Sequence, residues 1–230
     1  MLQCLNHFIR GETMTAGILS QKDYAYHNIT ISGLPGGGAT TLLKLLKEEL
    51  EEDGWRGFSG GEFMRDYAKE QGLLNDDGSL HHDATIYSDD FDRQVDFGMR
   101  ERLSTQKNWI LESWLSGFFA QHVEGTLKVL LICSDEAVRV DRVVNRDSVD
   151  IESAKTHIFE RTQKNLDKWI RMYSKEWQEW IVEPGVRPPD APIDFWHPDL
   201  YDIVIDTYSN SQEQTLAKVI EAIQPKKNTA

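Results

Sequence analysis

The sequence predicts an α/β protein with a central, mostly parallel sheet flanked by helices. Three observations predict it. Short apolar strands alternate with amphipathic helices along the 230 residues, the order that builds parallel sheets with helices on their faces. The first strand runs directly into a glycine-rich loop and then a helix, ITISGLPGGGATTLLKLL at residues 29–46. The second clear strand, NWILES at 108–113, ends close to an acid, Glu112. Ligands of such sheets bind beyond the carboxyl ends of the strands, and both the loop and Glu112 stand at such an end.

Element by element, HNITISG (27–33) is a buried strand rich in β-branched residues. ATTLLKLLKEELEED (39–53) carries leucines at 42, 43, 45, 46 and 50 and reads as an amphipathic helix that stops at Gly54. WRGFSGGEFMRDYAKEQG (55–72) predicts a short strand, a glycine turn and a helix, and NDDGS (75–79) a turn. Residues 84–106 predict a helix, 127–134 (LKVLLICS) a strand and 135–147 (DEAVRVDRVVNRD) another helix. After an acidic turn at 148–152, one long helix is expected from Ser153 to Trp180. Its apolar face runs through Leu166, Trp169, Ile170, Tyr173 and Trp177 to Ile181. Residues 183–199 hold five of the seven prolines and cannot be regular. YDIVIDT (201–207) is a last strand and 211–223 a last helix.

The length suits one domain with insertions better than two. A formal net charge of −13 argues against a general nucleic-acid binder. No apolar run reaches the length of a membrane span. Cys4 and Cys133 have neither metal-ligand spacing nor the look of a disulfide framework, which suits a reducing cytoplasm. Residues 1–26 are expected to be a loose N-terminal extension.

The loop invites comparison with the phosphate-binding pattern G-x-x-x-x-G-K-[ST]. Gly33 and Gly38 take its glycine positions and Thr40 its hydroxyl position, while Ala39 stands where the lysine belongs. Backbone N–H groups in such a loop cradle phosphate oxygens, and a hydroxyl at Thr40 can meet Mg²⁺. Gly36, Gly37 and Gly38 would permit the close approach, with Thr41 following. The same residues also suit an ordinary strand-to-helix turn with capping threonines. Arg139, Arg142 and Arg146 share one helix face at i, i+3 and i+7, either around a transferring phosphoryl group or as a solvated mixed-charge surface. Arg161 and Lys168 lie seven apart on the next helix. Asp92, Arg93, Asp96 and Arg100 form a further constellation, read equally well as a base-reading site or a surface ion-pair network. Glu112 can organise a metal ion or its water, or simply cap a surface turn.

In their order and spacing these segments resemble the cytidylate kinase family, in particular its compact archaeal-type branch. ITISGLPGGGATT is similar to that family's phosphate loop, and some members carry threonine where Ala39 stands. FSGGEFMRDYAKEQG resembles its glycine-glycine-acid segment, VRVDRVVNRD its arginine-bearing helix before the lid, ERTQKNLDKWIRMY its next helix and LYDIVIDT its last strand. The resemblance implies a P-loop NTPase fold of the nucleoside monophosphate kinase type over residues 27–225, with a helical monophosphate-binding part at 58–106 and a small lid at 147–156. It implies transfer from ATP, with Mg²⁺, to CMP or dCMP. On that reading Gly33 to Thr41 hold the ATP phosphates, Thr40 and Glu112 serve the metal, and Gly60, Gly61 and Arg65 line the monophosphate site. Arg93 and Asp96 fall at the cytidine pocket. Arg139, Arg142, Arg146 and Arg161, with Lys168, converge on the phosphates when the lid closes.

The chain departs from the family pattern in four places. Ala39 removes a cation, Trp114 replaces an acceptor-site arginine, Lys168-Trp169 replaces an arginine–tyrosine pair, and a proline-rich stretch is inserted before the last strand. Small-molecule nucleotides are the expected partners. A nucleotide-binding protein with little phosphotransfer, or a kinase for another small acceptor, would also suit those departures.

Overall fold

The computed structural model describes residues 22–72 and 84–225. Its strands are β1 (Asn28–Gly33), β2 (Arg56–Ser59), β3 (Trp109–Glu112), β4 (Thr126–Ile132) and β5 (Ile203–Asp206). They form one sheet in the order β2-β3-β1-β4-β5, with every pairing parallel. The strand order reverses at β1, so a crevice opens beyond its carboxyl end, where the glycine loop leaves the sheet. The helices are α1 (Ala39–Glu49), α2 (Gly60–Glu70), α3 (Asp89–Thr105), α4 (Ser116–Phe119), α5 (Glu136–Asp147), α6 (Ile151–Lys155), α7 (Arg161–Trp177) and α8 (Gln212–Ile223).

Alternation along β1 divides the core in two. Ile29 and Ile31 pack with Leu42 and Leu46 of α1 and with Val219 and Ile223 of α8. Thr30 and Ser32 face the other side and are buried there. Ser32 is polar because α4 lies on it: its Oγ is 3.1 Å from Ser116 Oγ and accepts the Gly117 amide at 2.8 Å. Sequence periodicity does not reveal α4, since it is a single turn held by these tertiary contacts. Behind it lies an aromatic core of Phe118, Phe119, Trp169, Tyr173, Trp177 and Phe195.

The long helix expected from Ser153 to Trp180 forms as an unbroken helical run over 151–182, but it is not regular. Wide π turns at Thr156–Glu160 and Gln178–Val182 flank α7, and Tyr173 within it departs to φ −117° and ψ 17°. Tyr173 is fully buried and its hydroxyl donates to Asp96 Oδ2 at 2.6 Å, so the irregular turn seats a side chain that the core and α3 both hold. The apolar face itself falls where the spacing put it, with Trp169, Tyr173, Trp177 and Ile181 all buried.

Residues 183–199 run irregularly into a 3₁₀ turn at Pro198–Leu200. Residues 1–21 of the expected extension, the turn at 75–79 and the tail from 226 lie outside the described residues. Residues 22–26 are tied to the body: the Ala25 amide donates to Ile223 O at 2.8 Å, and Tyr24 meets Trp55 edge-on at 5.5 Å. Among the described residues no helix is long and apolar enough to cross a membrane.

Candidate active site

The glycine loop is built by backbone demands. Gly36 and Gly38 adopt φ of 80° and 95°, a region that L side chains seldom occupy. A Cβ on Gly36 would also sit 2.8 Å from Arg139 O. Gly37 closes the loop from within, its amide donating to Leu34 O at 2.9 Å. Gly38 begins α1 with no side-chain cap and no acid in the first turn. The first amides of α1 are therefore available to an anion, and the helix dipole favours one.

These amides border a cleft of about 1020 Å³. Gly33, Gly36, Gly38, Ala39, Thr40 and Thr41 line it on the loop side, and Gly61, Arg65, Glu112 and Trp114 on the other. Arg142, Arg146 and Arg161 reach it from α5 and α7. A third wall, residues 207–213 after β5, was not anticipated from the sequence, because its serines and asparagine follow no spacing that marks a ligand.

The arginines differ in how they are held. Arg142 spends its fork on the protein: it donates to Gly36 O at 3.0 Å, Thr207 Oγ1 at 2.8 Å and Thr207 O at 2.8 Å. It ties the phosphate loop to the end of β5. Arg146 makes a two-pronged pair with Asp147, both bonds 2.7 Å. Arg161 lies with its guanidinium carbon 5.2 Å over the Trp114 ring. Arg139 does not line the cleft; its Nε donates to Pro35 O at 3.3 Å, and burial pulls its pKa below the ordinary value. Glu112 is buried, accepts the Ser59 hydroxyl at 2.7 Å, and has its carboxyl pKa pushed up by that burial against the pull of Arg65.

A second, smaller cavity of about 110 Å³ opens beside the cleft. Gly60 and Gly61 border it with Arg65, Asp92, Asp96 and Trp114. Asp92 is 4% exposed, and its Oδ1 has no hydrogen-bond partner. Its Oδ2 accepts Lys168 Nζ at 2.9 Å. Burial raises the Asp92 carboxyl, with Lys168 pulling the other way, and raises Asp96 to about 7.

Four expected site residues line neither cavity: Gly37 and Arg139, placed above, and Lys168 and Arg93. Lys168 is drawn into the interior by Asp92 and by Tyr87 O at 2.8 Å. Arg93 reaches along α7 instead, where it pairs with Glu176 and donates to Met172 O at 2.9 Å. Asp96 does line the small cavity, and Asp92, its neighbour one turn earlier, joins it. The spacing of that pair was visible in the sequence; which side of α3 faced inward was not.

Residues 29–165 match a family model described as an AAA domain. The cytidylate kinase of Methanopyrus kandleri is 32% identical over 206 residues, spanning 86% of this chain and 93% of that protein. The chain belongs to the cytidylate kinase family. The cytidylate kinase of Methanosarcina acetivorans is 34% identical over 193 residues, covering 82% of this chain and 91% of its own. A crystal structure of an uncharacterized protein from Eubacterium ventriosum shares the fold, with a TM-score of 0.54 at 16% identity over 85% of this chain and 96% of that one. As in other P-loop proteins, no cluster of three acidic, histidine or cysteine side chains is needed in this member of the cytidylate kinase family, and none is found among the described residues. Magnesium in such sites takes one or two protein oxygens and completes its shell with phosphates and water. Thr40 and Glu112 border the same cleft and offer oxygens of that kind.

Proposed function

We propose that this ATP-dependent phosphotransferase moves the γ-phosphoryl group of ATP to CMP or dCMP. The observation that carries the reading is that two cavities of unlike size share one border, formed by Gly61, Arg65, Trp114 and Arg161. The large cleft suits a nucleoside triphosphate. The small one is close to the ~150 Å³ that holds a single benzene ring, so it suits a one-ring base and crowds a purine. An acceptor with its base in the small cavity carries its phosphate to the border, facing the donor.

On this reading the loop amides from Gly33 to Thr41 hold the donor phosphates. Thr40 and, through water, Glu112 hold Mg²⁺, which when bound offsets charge on the transferring group. Arg65 and Arg161 receive the acceptor phosphate. Arg142 keeps the loop and residue 207 in register, and Arg146 exchanges Asp147 for phosphate as segment 147–156 closes. Lys168 is a positioning residue that holds Asp92. Asp92 Oδ1 then accepts from the exocyclic amino group of cytosine. Uracil presents a carbonyl there and would leave two acceptors facing each other, a mismatch that costs far more than a missing methylene.

The test is ADP formation by the purified chain with Mg·ATP and each of CMP, dCMP, UMP and AMP. Stimulation should be strongest with CMP or dCMP. Equal stimulation by UMP would remove the role given to Asp92, and no stimulation by any monophosphate would sink the assignment of the acceptor.

A further inference from the structure

The proline-rich segment 183–199 ends against the border between the two cavities. Phe195 anchors it: fully buried, it packs on Phe118 at 4.8 Å and Trp177 at 5.8 Å, and its carbonyl accepts the Tyr201 hydroxyl at 2.8 Å. That anchor fixes the next residue. The Trp196 amide donates to Asp194 Oδ1 at 3.0 Å, and its indole N–H donates to Trp114 O at 2.9 Å. The Trp196 ring stands at steep angles to Trp114 and Trp169, 6.4 and 6.3 Å away, and those two meet edge-on at 5.5 Å. Trp114 is thus gripped through both backbone and ring, and the face it presents lies under Arg161.

We infer that segment 183–199 is a built part of the acceptor site: Trp196 and Trp169 fix Trp114, and Trp114 is a positioning residue that holds Arg161 for the acceptor phosphate. Stacking restrains an arginine through the face of its guanidinium, while phosphate is recognised through the N–H edge. An aromatic platform therefore orients the group without competing for the contacts it makes to an anion. The aromatic triad also gives the insertion a function that its lack of regular structure conceals.

The inference rests on the acceptor being a nucleoside monophosphate, and binding measurements separate the two claims. Calorimetry would compare CMP with cytidine on the full chain and on Trp114→Phe, Trp114→Leu, Trp196→Phe and Arg161→Met. Trp114→Leu should weaken CMP about 10-fold and cytidine far less, with the KM for ATP unchanged. Trp114→Phe keeps an aromatic face and should retain most of the affinity. Trp196→Phe loses the N–H and part of the ring but keeps an aromatic face, and should fall between them. Adding Trp114→Leu to Arg161→Met should cost little more, because the platform acts through that arginine. Equal losses for CMP and cytidine, or fully additive losses in the double variant, would overturn the inference. If the unaltered chain binds cytidine monophosphates and all variants bind alike, the inference alone falls; if it binds no monophosphate, the acceptor assignment falls with it.

Discussion

On the reading proposed above, the donor cleft and the acceptor cavity are made of different materials. Backbone dominates the first: a loop whose conformation is set by glycine, the uncapped start of α1, and a wide opening of about 1020 Å³. Side chains dominate the second: two carboxyls, two tryptophans and a pair of arginines around about 110 Å³. A backbone site reads phosphate, which every nucleoside triphosphate shares. A side-chain site reads the pattern of donors and acceptors on one base. The contrast assigns affinity for a common donor to one half of the molecule and discrimination to the other, and substitutions can pull the two apart.

The sharpest break should come at Gly36. Gly36→Val places a β-branched residue at φ 80° and a Cβ 2.8 Å from Arg139 O. The loop cannot keep its shape. Losing even one oriented donor to a developing anion typically costs about 10²–10³ in rate, so turnover should fall at least that far. Circular dichroism should still report a folded α/β chain, since the loop lies outside the core. Retention of a tenth or more of the activity would show that the glycine conformation does not build the phosphate site.

Asp92→Asn should break the other half alone. The amide keeps an oxygen for Lys168 but turns an N–H₂ toward the cavity. One mismatched buried hydrogen bond is worth ~1–3 kcal/mol, so kcat/KM for CMP should drop about 10–100-fold, with the KM for ATP steady. UMP should lose less, and it would gain if the new donor meets its carbonyl. A parallel loss for ATP would mean that the two halves are not separable.

These two predictions also mark what the sequence could reveal. The shape of the glycine loop was legible because its constraint is local: three consecutive glycines between a strand and a helix mark a backbone turn that other residues seldom make. The sheet was legible for the same reason, from apolar strands alternating with periodic helices. The acceptor cavity depends on pairings across the chain. Arg93 was expected to serve the base, but Glu176 of α7, 83 residues away, takes its guanidinium. Lys168 was expected beside Arg161 because they lie seven apart. The buried Asp92, 76 residues away, draws it inward instead. Trp114 stood out only as a departure from the family pattern, and Trp196 on the proline-rich insertion shows how it is held. Helical spacing shows which residues share a face; the partners that turn that face are beyond its reach.

The expectation for Arg142 changes on the same grounds. An exposed arginine would lose function without losing stability. Arg142, with three hydrogen bonds to the loop and to Thr207, should lose both on Arg142→Ala. Neutral hydrogen bonds contribute ~1 kcal/mol each and charged ones more, so a fall in unfolding free energy of about 1–3 kcal/mol should accompany a roughly 10-fold loss in turnover. Urea denaturation checks the first and the ADP assay the second. Unchanged stability would show that Arg142 does not brace the loop.

Adding charge to the donor half should have a smaller effect in the opposite direction. Ala39→Lys restores the cation of the usual pattern at the start of α1, beside a cleft that already contains Arg65, Arg142, Arg146 and Arg161. A charge-assisted contact is worth ~1.5–3 kcal/mol when it forms. Here the loop is already bound to Arg142, and the lysine would share its anion with four arginines, so a rise in kcat of less than about 10-fold is expected. A severe loss in a folded variant would mean that phosphate lies against Ala39 itself, in space the backbone alone was built to provide.

The subtlest effect belongs to the acceptor half and appears in stability rather than rate. Burial raises the Asp96 carboxyl from the ordinary 3.8 to about 7. Between those values the folded chain holds a proton that the unfolded chain has released, so this group makes folding less favourable as pH rises through the window and adds no slope above it. The raised Asp92 acts in the same direction. His157, whose pKa is lowered chiefly by burial, acts in the opposite direction below 6.5. The surface carboxyls held low, such as Asp206, matter only below the window, where their contribution is lost as pH falls. Subtracting the urea-unfolding profile of Asp96→Asn from that of the unaltered chain cancels His157 and isolates the one carboxyl. The variant should gain on the unaltered chain steadily from pH 4 to pH 7, and the gap should then stay constant. A gap independent of pH would mean that Asp96 is ionised throughout, so that the cavity already presents two negative carboxylates and selects its base by charge as well as by hydrogen bonding.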